Sequence, residues 1–211
     1  MAKIEPFEKF PDRYDEWFRT NNLIYQSELH AVKDLLPEGG VGLEVGIGSG
    51  RFAKFPGIKL GVDPSSKMRN IAHSRGIEVI DAVAESLPFN NKQFDYVLMV
   101  TTICLLDDVD TAFKEVFRVL KSHGFFIVGF IDKESPLGHQ YQTHKNENPF
   151  YKVANFYSVY GVLYYLIENE FIDFHIVQTI FHDLSEIKEA EPVKNGFGEG
   201  SFVVIRALKN G

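Results

Sequence analysis

A glycine cluster and the acids around it are the residues most able to do chemistry. Val41-Gly42-Leu43-Glu44-Val45 runs straight into Gly46-Ile47-Gly48-Ser49-Gly50. An apolar run ending in glycines reads as a strand followed by a bare main-chain turn against which a ligand can lie. A dinucleotide site wants G-x-G-x-x-G. Here the pattern is G-x-G-x-G, and Arg51 stands where the third glycine would be. Asp63 closes the next apolar run, 17 residues after Gly46. A carboxylate there can accept hydrogen bonds from both hydroxyls of a ribose. It can equally cap the helix that Pro64-Ser65 would start. The loop and the acid together favour a nucleoside ligand and leave its identity open.

These residues need strands and helices to hold them. Val41–Val45, Ile58–Val62, Ile77–Asp81, Phe94–Met99 and Phe125–Ile131 read as five strands. Val109, Ala112, Phe113, Val116, Phe117 and Leu120 recur at helical spacing, with Asp107, Asp108 and Asp110 at the positive end. Another helix runs from Pro64-Ser65-Ser66 to Gly76. Strands alternating with helices imply parallel pairing under helices on both faces. Residues 12–36 read as one or two helices, with Leu29, Val32, Leu35 and Leu36 in helical register. Residues 132–157 are polar, aromatic and turn-rich, a candidate lid or substrate segment. Ser158 caps a helix to about Asn169. Phe171–Phe181 and Ser201–Leu208 then have no helix between them and can pair antiparallel. The expectation is a single domain over 1–211, with 1–37 a helical cap and 132–157 an insertion.

The 211 residues are 45% hydrophobic and 14% aromatic, which excludes a disordered chain. The longest nearly apolar run, Phe156–Ile167, falls short of the ~20 residues that span a bilayer. A single cysteine, Cys104, excludes a disulfide framework and a multi-cysteine metal site, so no metal is expected. With no signal-peptide pattern, the expected location is the cytoplasm. The net charge of −7 argues against nucleic acid as partner.

Four stretches together resemble the class I S-adenosylmethionine (SAM) dependent methyltransferases, in the small-molecule type 11 group. They are LEVGIGSGRFA, GVDPS, AESLPF with Phe94-Asp95-Tyr96-Val97, and FKEVFRVLKSHGFFIVG. The resemblance runs from about 40 to 131. It implies an α/β, Rossmann-like fold, a seven-stranded mostly parallel sheet with an antiparallel last strand. It implies methyl transfer from SAM, leaving S-adenosylhomocysteine (SAH), to a small-molecule substrate. By position it places Glu44, Gly46, Ile47, Gly48 and Gly50 along the methionine part of SAM and Asp63 on the ribose. Pro64, Met68, Val83, Ala84 and Glu85 fall around the adenine, and Met99, Val100 and Thr101 face the sulfonium.

Three features depart from the family. Val83 stands where an acid often holds the adenine amino group, and Asp81 is two residues earlier. The span from Gly50 to Asp63 leaves room for little more than one helical turn, ended by Pro56-Gly57. Cys104-Leu105 replaces the paired histidines common after the fourth strand.

Methyl transfer asks chiefly for alignment and desolvation, which can supply roughly 7–11 kcal/mol of the barrier. It needs a base only if the acceptor must lose a proton. Acceptor-side candidates are Tyr14, Thr101, His139 and His144, with Trp17, Tyr25, Thr102, Cys104, Tyr141 and Tyr151 behind them. Trp17 reads first as a helix-packing aromatic, and Cys104 as a small buried apolar residue. The histidines divide evenly between surface loop and site. A noncatalytic SAM-binding regulator on the same fold is an alternative reading. A nicotinamide-dependent dehydrogenase is another, opposed by Arg51 and AESLPF. The acceptor and the oligomeric state stay open.

Overall fold

The computed structural model describes residues 2–54 and 57–211. Three helices come first: α1 (Glu5–Lys9), α2 (Pro11–Thr20) and α3 (Asn22–Leu35). Pro6 and Pro11 stand in the first turns of α1 and α2, where a missing N–H leaves no bond unmade. The one or two helices expected over 12–36 are thus two, preceded by a short third. Then come β1 (Gly42–Val45), β2 (Leu60–Val62), α4 (Ser66–Ser74), β3 (Glu78–Ile80), β4 (Phe94–Val100), α5 (Val109–Val119) and β5 (Leu120–Ile131). The Ser65 hydroxyl accepts the Met68 N–H and so caps α4; Asp108 caps α5 through the Thr111 N–H.

Strand order is β3-β2-β1-β4-β5-β8-β6-β7, where β6 is Phe171–Thr179, β7 is Lys194–Asn195 and β8 is Phe202–Lys209. β1 to β5 pair in parallel; β8 lies antiparallel to both β5 and β6. The sheet has eight strands rather than seven. The added one, β7, is a two-residue edge segment pairing Val177 with Asn195.

Alternation along β4 separates two cores. Phe94, Val97 and Met99 pack under α5 and α8 (Val159–Glu168), while Tyr96, Leu98 and Val100 pack under α2 and α3. No helix joins β1 to β2 among the described residues. Residues 51–54 form turns, and the Ile58 N–H closes on the Ala53 carbonyl at 3.0 Å. Pro56, expected to end a short helix there, lies outside the described residues. The layer is filled by α2 and α3 instead.

Residues 132–157 are more helical than their composition suggests. They hold α6 (Pro136–Thr143), a tight turn at Lys145–Glu147 and α7 (Pro149–Lys152). Ser135 accepts the Gly138 N–H and Asn148 the Phe150 N–H, so each short helix starts on a polar cap followed by proline. Among the described residues, no helix is long and apolar enough to cross a membrane, and no three His, Cys, Asp or Glu side chains gather as a metal site.

Candidate active site

The C-terminal ends of β1, β2 and β4 open into a cavity of about 500 Å³, the usual ligand position in such sheets. The glycine loop forms its floor. Gly46 has φ +68°, and a Cβ there would collide with the Thr102 side chain. The Thr102 hydroxyl in turn lies 3.1 Å from the carbonyl oxygens of Gly46 and Val100. Gly46 therefore lets β1 and β4 close together. Gly48, φ +54°, offers bare main chain to the cavity, with the Tyr14 hydroxyl 3.4 Å from where its Cβ would be.

Asp63 ties this loop to the second strand. One carboxylate oxygen accepts the Gly48 N–H and the other the Ser65 N–H, both at 2.8 Å. Burial pushes its pKa up to about 6, against the pull of those two bonds. Asp63 is thus a turn-capping acid and, at the same time, a cavity-lining one. Glu44 is buried, and its Oε2 has no hydrogen-bond partner among the described residues. Burial, and then the nearby Asp63, hold its carboxyl well above the usual range.

Of the other positions expected along SAM, Pro64, Val83, Ala84, Glu85, Val100 and Thr101 line the cavity. Glu44, Ile47, Gly50, Met68 and Met99 do not line it. Ile47 packs over Gly61, and a Cβ on Gly50 would meet Ile77. Met68 and Met99 are fully buried. Asp81 is exposed and paired with Arg69 at 2.9 Å, away from the cavity. Glu85 accepts the N–H groups of Asp107 and Asp108. Thr101 has φ +52°, rare for a β-branched residue and a mark of backbone held under strain at the mouth of β4.

The roof comes from the two segments flanking the sheet. The rings of Phe7, Tyr14 and Phe150 gather with centroids 5.2–5.8 Å apart. Tyr141 and Tyr151 stack at 4.1 Å and, with Trp17 and Phe156, line the aromatic part of the cavity. Burial holds the Tyr14 and Tyr141 hydroxyls far above their ordinary range, and pushes Tyr151 up to about 12. The Cys104 Sγ lies 3.2 Å from the Thr101 carbonyl, and burial pushes its thiol up to about 11, so it stays protonated. Tyr25 donates to the Arg51 carbonyl at 2.8 Å and does not line the cavity. His139 and His144 are both exposed, and the structure places neither on the cavity. They sit on the outer face of α6 and at its end.

Several residues here are not evident from the sequence. Asp15 on α2 accepts both the Arg51 guanidinium, at 2.9 and 2.7 Å, and the Arg75 guanidinium at 2.7 Å. Burial raises the Asp15 carboxyl, but the two guanidinium groups outweigh it and hold it well below the usual range. Glu8 on α1 accepts the Ser65 hydroxyl at 2.7 Å and the Lys67 N–H at 3.2 Å, over the start of α4. Glu28 on α3 lines the cavity at 5% exposure.

Residues 43–128 match the family described as "Methyltransferase domain", the type 11 group. An uncharacterised protein of Methanocaldococcus jannaschii is 44% identical over 203 residues, covering 96% of this chain and 98% of that one. A crystal structure from Thermotoga maritima superposes with a TM-score of 0.96 at 48% identity, over 98% of this chain and 100% of that one. It is described as a SAM-dependent methyltransferase, possible histamine N-methyltransferase. The YcgJ protein of Bacillus subtilis shares the fold, with a TM-score of 0.66 at 19% identity, over 89% of this chain and 99% of that one. A glycine loop tied to an acid at the strand ends, four family stretches in order and a near-complete match to the Thermotoga structure agree: the chain belongs to the class I SAM-dependent methyltransferases.

Proposed function

We propose that this protein transfers the methyl group of SAM to a small molecule held in the aromatic part of its cavity. The observation that carries this is one continuous cavity running from the glycine loop and Asp63 to the Tyr141–Tyr151 stack. The residues fit the cofactor. Gly46 and Gly48 present main chain, and the orphaned Glu44 Oε2 suits an ammonium group. Asp63 keeps spare lone pairs for the ribose. Pro64, Val83, Ala84 and Glu85 would flank the adenine, and Val100 and Thr101 the sulfonium. Ile47, Gly50, Met68 and Met99 would support these from behind.

SAM supplies a methyl group on a positively charged sulfur. The chain's own part is to align the acceptor and exclude water. Tyr14, neutral at physiological pH, offers a ring face favourable to a cation and a hydroxyl that can donate. His139 and His144, being exposed, have no place in this arrangement.

The test is calorimetry followed by product identification. SAM and SAH should bind at micromolar strength and NAD not detectably. Incubation with a metabolite extract and methyl-labelled SAM should then yield a labelled small molecule. Histamine, suggested by the description of the Thermotoga relative, is one pure acceptor to include. SAH binding with no labelled product from any source would support the noncatalytic alternative.

A further inference from the structure

Glu28 is buried in the wall of the cavity and pairs with no described residue. Among the described residues its carboxylate has neither a hydrogen bond nor an ion pair, and no cation lies near enough to offset its burial. Tyr14, Tyr25, Tyr141 and Tyr151 all lie within range of its charge, and all four are neutral phenols. The neighbouring Ser27 is fully engaged: its hydroxyl donates to the Leu23 carbonyl and accepts the Glu191 N–H, both at 2.8 Å. A buried acid left without a partner destabilises the fold, so a ligand that brings the missing donor recovers that loss on binding. The donor must be a proton-bearing group, and a positive one gains from the surrounding rings as well. A carboxylate or phosphate brings no proton, and its negative charge would oppose ionisation of Glu28.

We propose that Glu28 binds the nitrogen of the methyl acceptor and takes its proton, and that the acceptor is a small amine flanked by the cavity's aromatic side chains. This rests on the methyl-transfer reading above. An amine arriving as the ammonium ion gives one N–H proton to the Glu28 carboxylate. The freed lone pair then forms the bond to the methyl carbon as the carbon–sulfur pair returns to sulfur. The product leaves as a methylated ammonium ion, and Glu28 releases its proton to solvent. Burial alone pushes the Glu28 pKa up to about 8, so in the empty cavity at neutral pH it is mostly protonated; the arriving ammonium ion favours the carboxylate, its own proton passing to solvent, and the carboxylate then takes the amine proton.

The experiment titrates the full-length protein, saturated with SAH, with three probes on one skeleton: 2-phenylethylamine, 2-phenylethanol and phenylacetate. The amine should bind at least about 10-fold more tightly than the alcohol, and phenylacetate should not bind. Glu28→Gln should weaken the amine about 10- to 100-fold while SAH affinity is unchanged, and Glu28→Asp should restore part of the loss. Wild-type protein that binds the alcohol or the acid as well as the amine, or that binds none of the three, overturns the proposal. So does a Glu28→Gln variant that binds the amine normally. If Glu28→Gln loses SAH, the wild-type comparison decides alone. Wild-type protein that binds no SAH overturns the methyltransferase reading instead.

Discussion

Asp63 holds the glycine loop before it holds any ligand, and this shapes what its removal should do. Hydrogen bonds to a charged group are worth about 1.5–3 kcal/mol each, so Asp63→Ala should weaken SAM on the order of 10- to 150-fold by calorimetry. Part of that loss comes from a freed Gly48 N–H. A ribose-deoxy analogue separates the parts: it should bind less well than SAH to the wild type, yet as well as SAH to Asp63→Ala. The raised pKa adds a sign. The ionised carboxylate accepts the ribose hydroxyls, so SAM affinity should be flat above pH 7 and fall about tenfold by pH 5. That Gly46, Gly48 and Asp63 would meet at one cavity was legible because glycines and an acid after apolar runs have few other uses. Glu28 was not. A charged residue beside the stripe Leu29, Val32 and Leu35 reads as facing water. It nevertheless stands four residues before Val32 and seven before Leu35, on the buried face of α3.

Among the elements, α5 was legible in full because its apolar spacing is helical throughout and Asp108 caps it. β5 was legible only from Phe125. It begins at Leu120, and its register against β4 shifts between Phe94 and Tyr96, which lets Lys121 to Gly124 bulge out. Such polar residues carry no strand pattern. α6 and α7 were hidden because helices this short cover little apolar surface; their trace in the sequence is Ser135-Pro136 and Asn148-Pro149 alone. α2 is fastened to the loop by Asp15. Asp15→Ala would leave Arg51 and Arg75 without their carboxylate partner at about one-fifth exposure, costing about 2–3 kcal/mol. At roughly 2–4 °C per kcal/mol for a chain of this size, thermal melting should drop by about 4–12 °C. SAM should also bind less tightly, because Tyr14 sits on the same helix. Hydrogen exchange should slow over α1, α2 and 148–157 when SAH binds; unchanged exchange there would mean the roof is not part of the cofactor site.

For the molecule as a whole, buried acids set the response to pH. Glu28 and Asp63 both have raised pKa values, so the folded chain binds more protons than the unfolded chain between about pH 4 and 8. Their contribution to stability is present below the unfolded values and is lost as pH rises through about 6 for Asp63 and about 8 for Glu28. For Glu28 the loss is on the order of 5 kcal/mol. The melting temperature of ligand-free protein should therefore fall from pH 5.5 to pH 8.5, and Glu28→Gln should flatten much of that slope. A further consequence follows from where α3 rests. It packs on β5, β6 and β8, and Ser27 is bonded to Glu191, 164 positions later. Every described residue lining the cavity lies within residues 2–157, yet the helix carrying Glu28 lacks a large part of its seat until the last strand has been made. Contacts of such long reach form late in folding. A growing chain on the ribosome should thus acquire SAM affinity only when β8 has emerged. A fragment ending at residue 190, with every cavity-lining residue present, should bind no SAM by calorimetry.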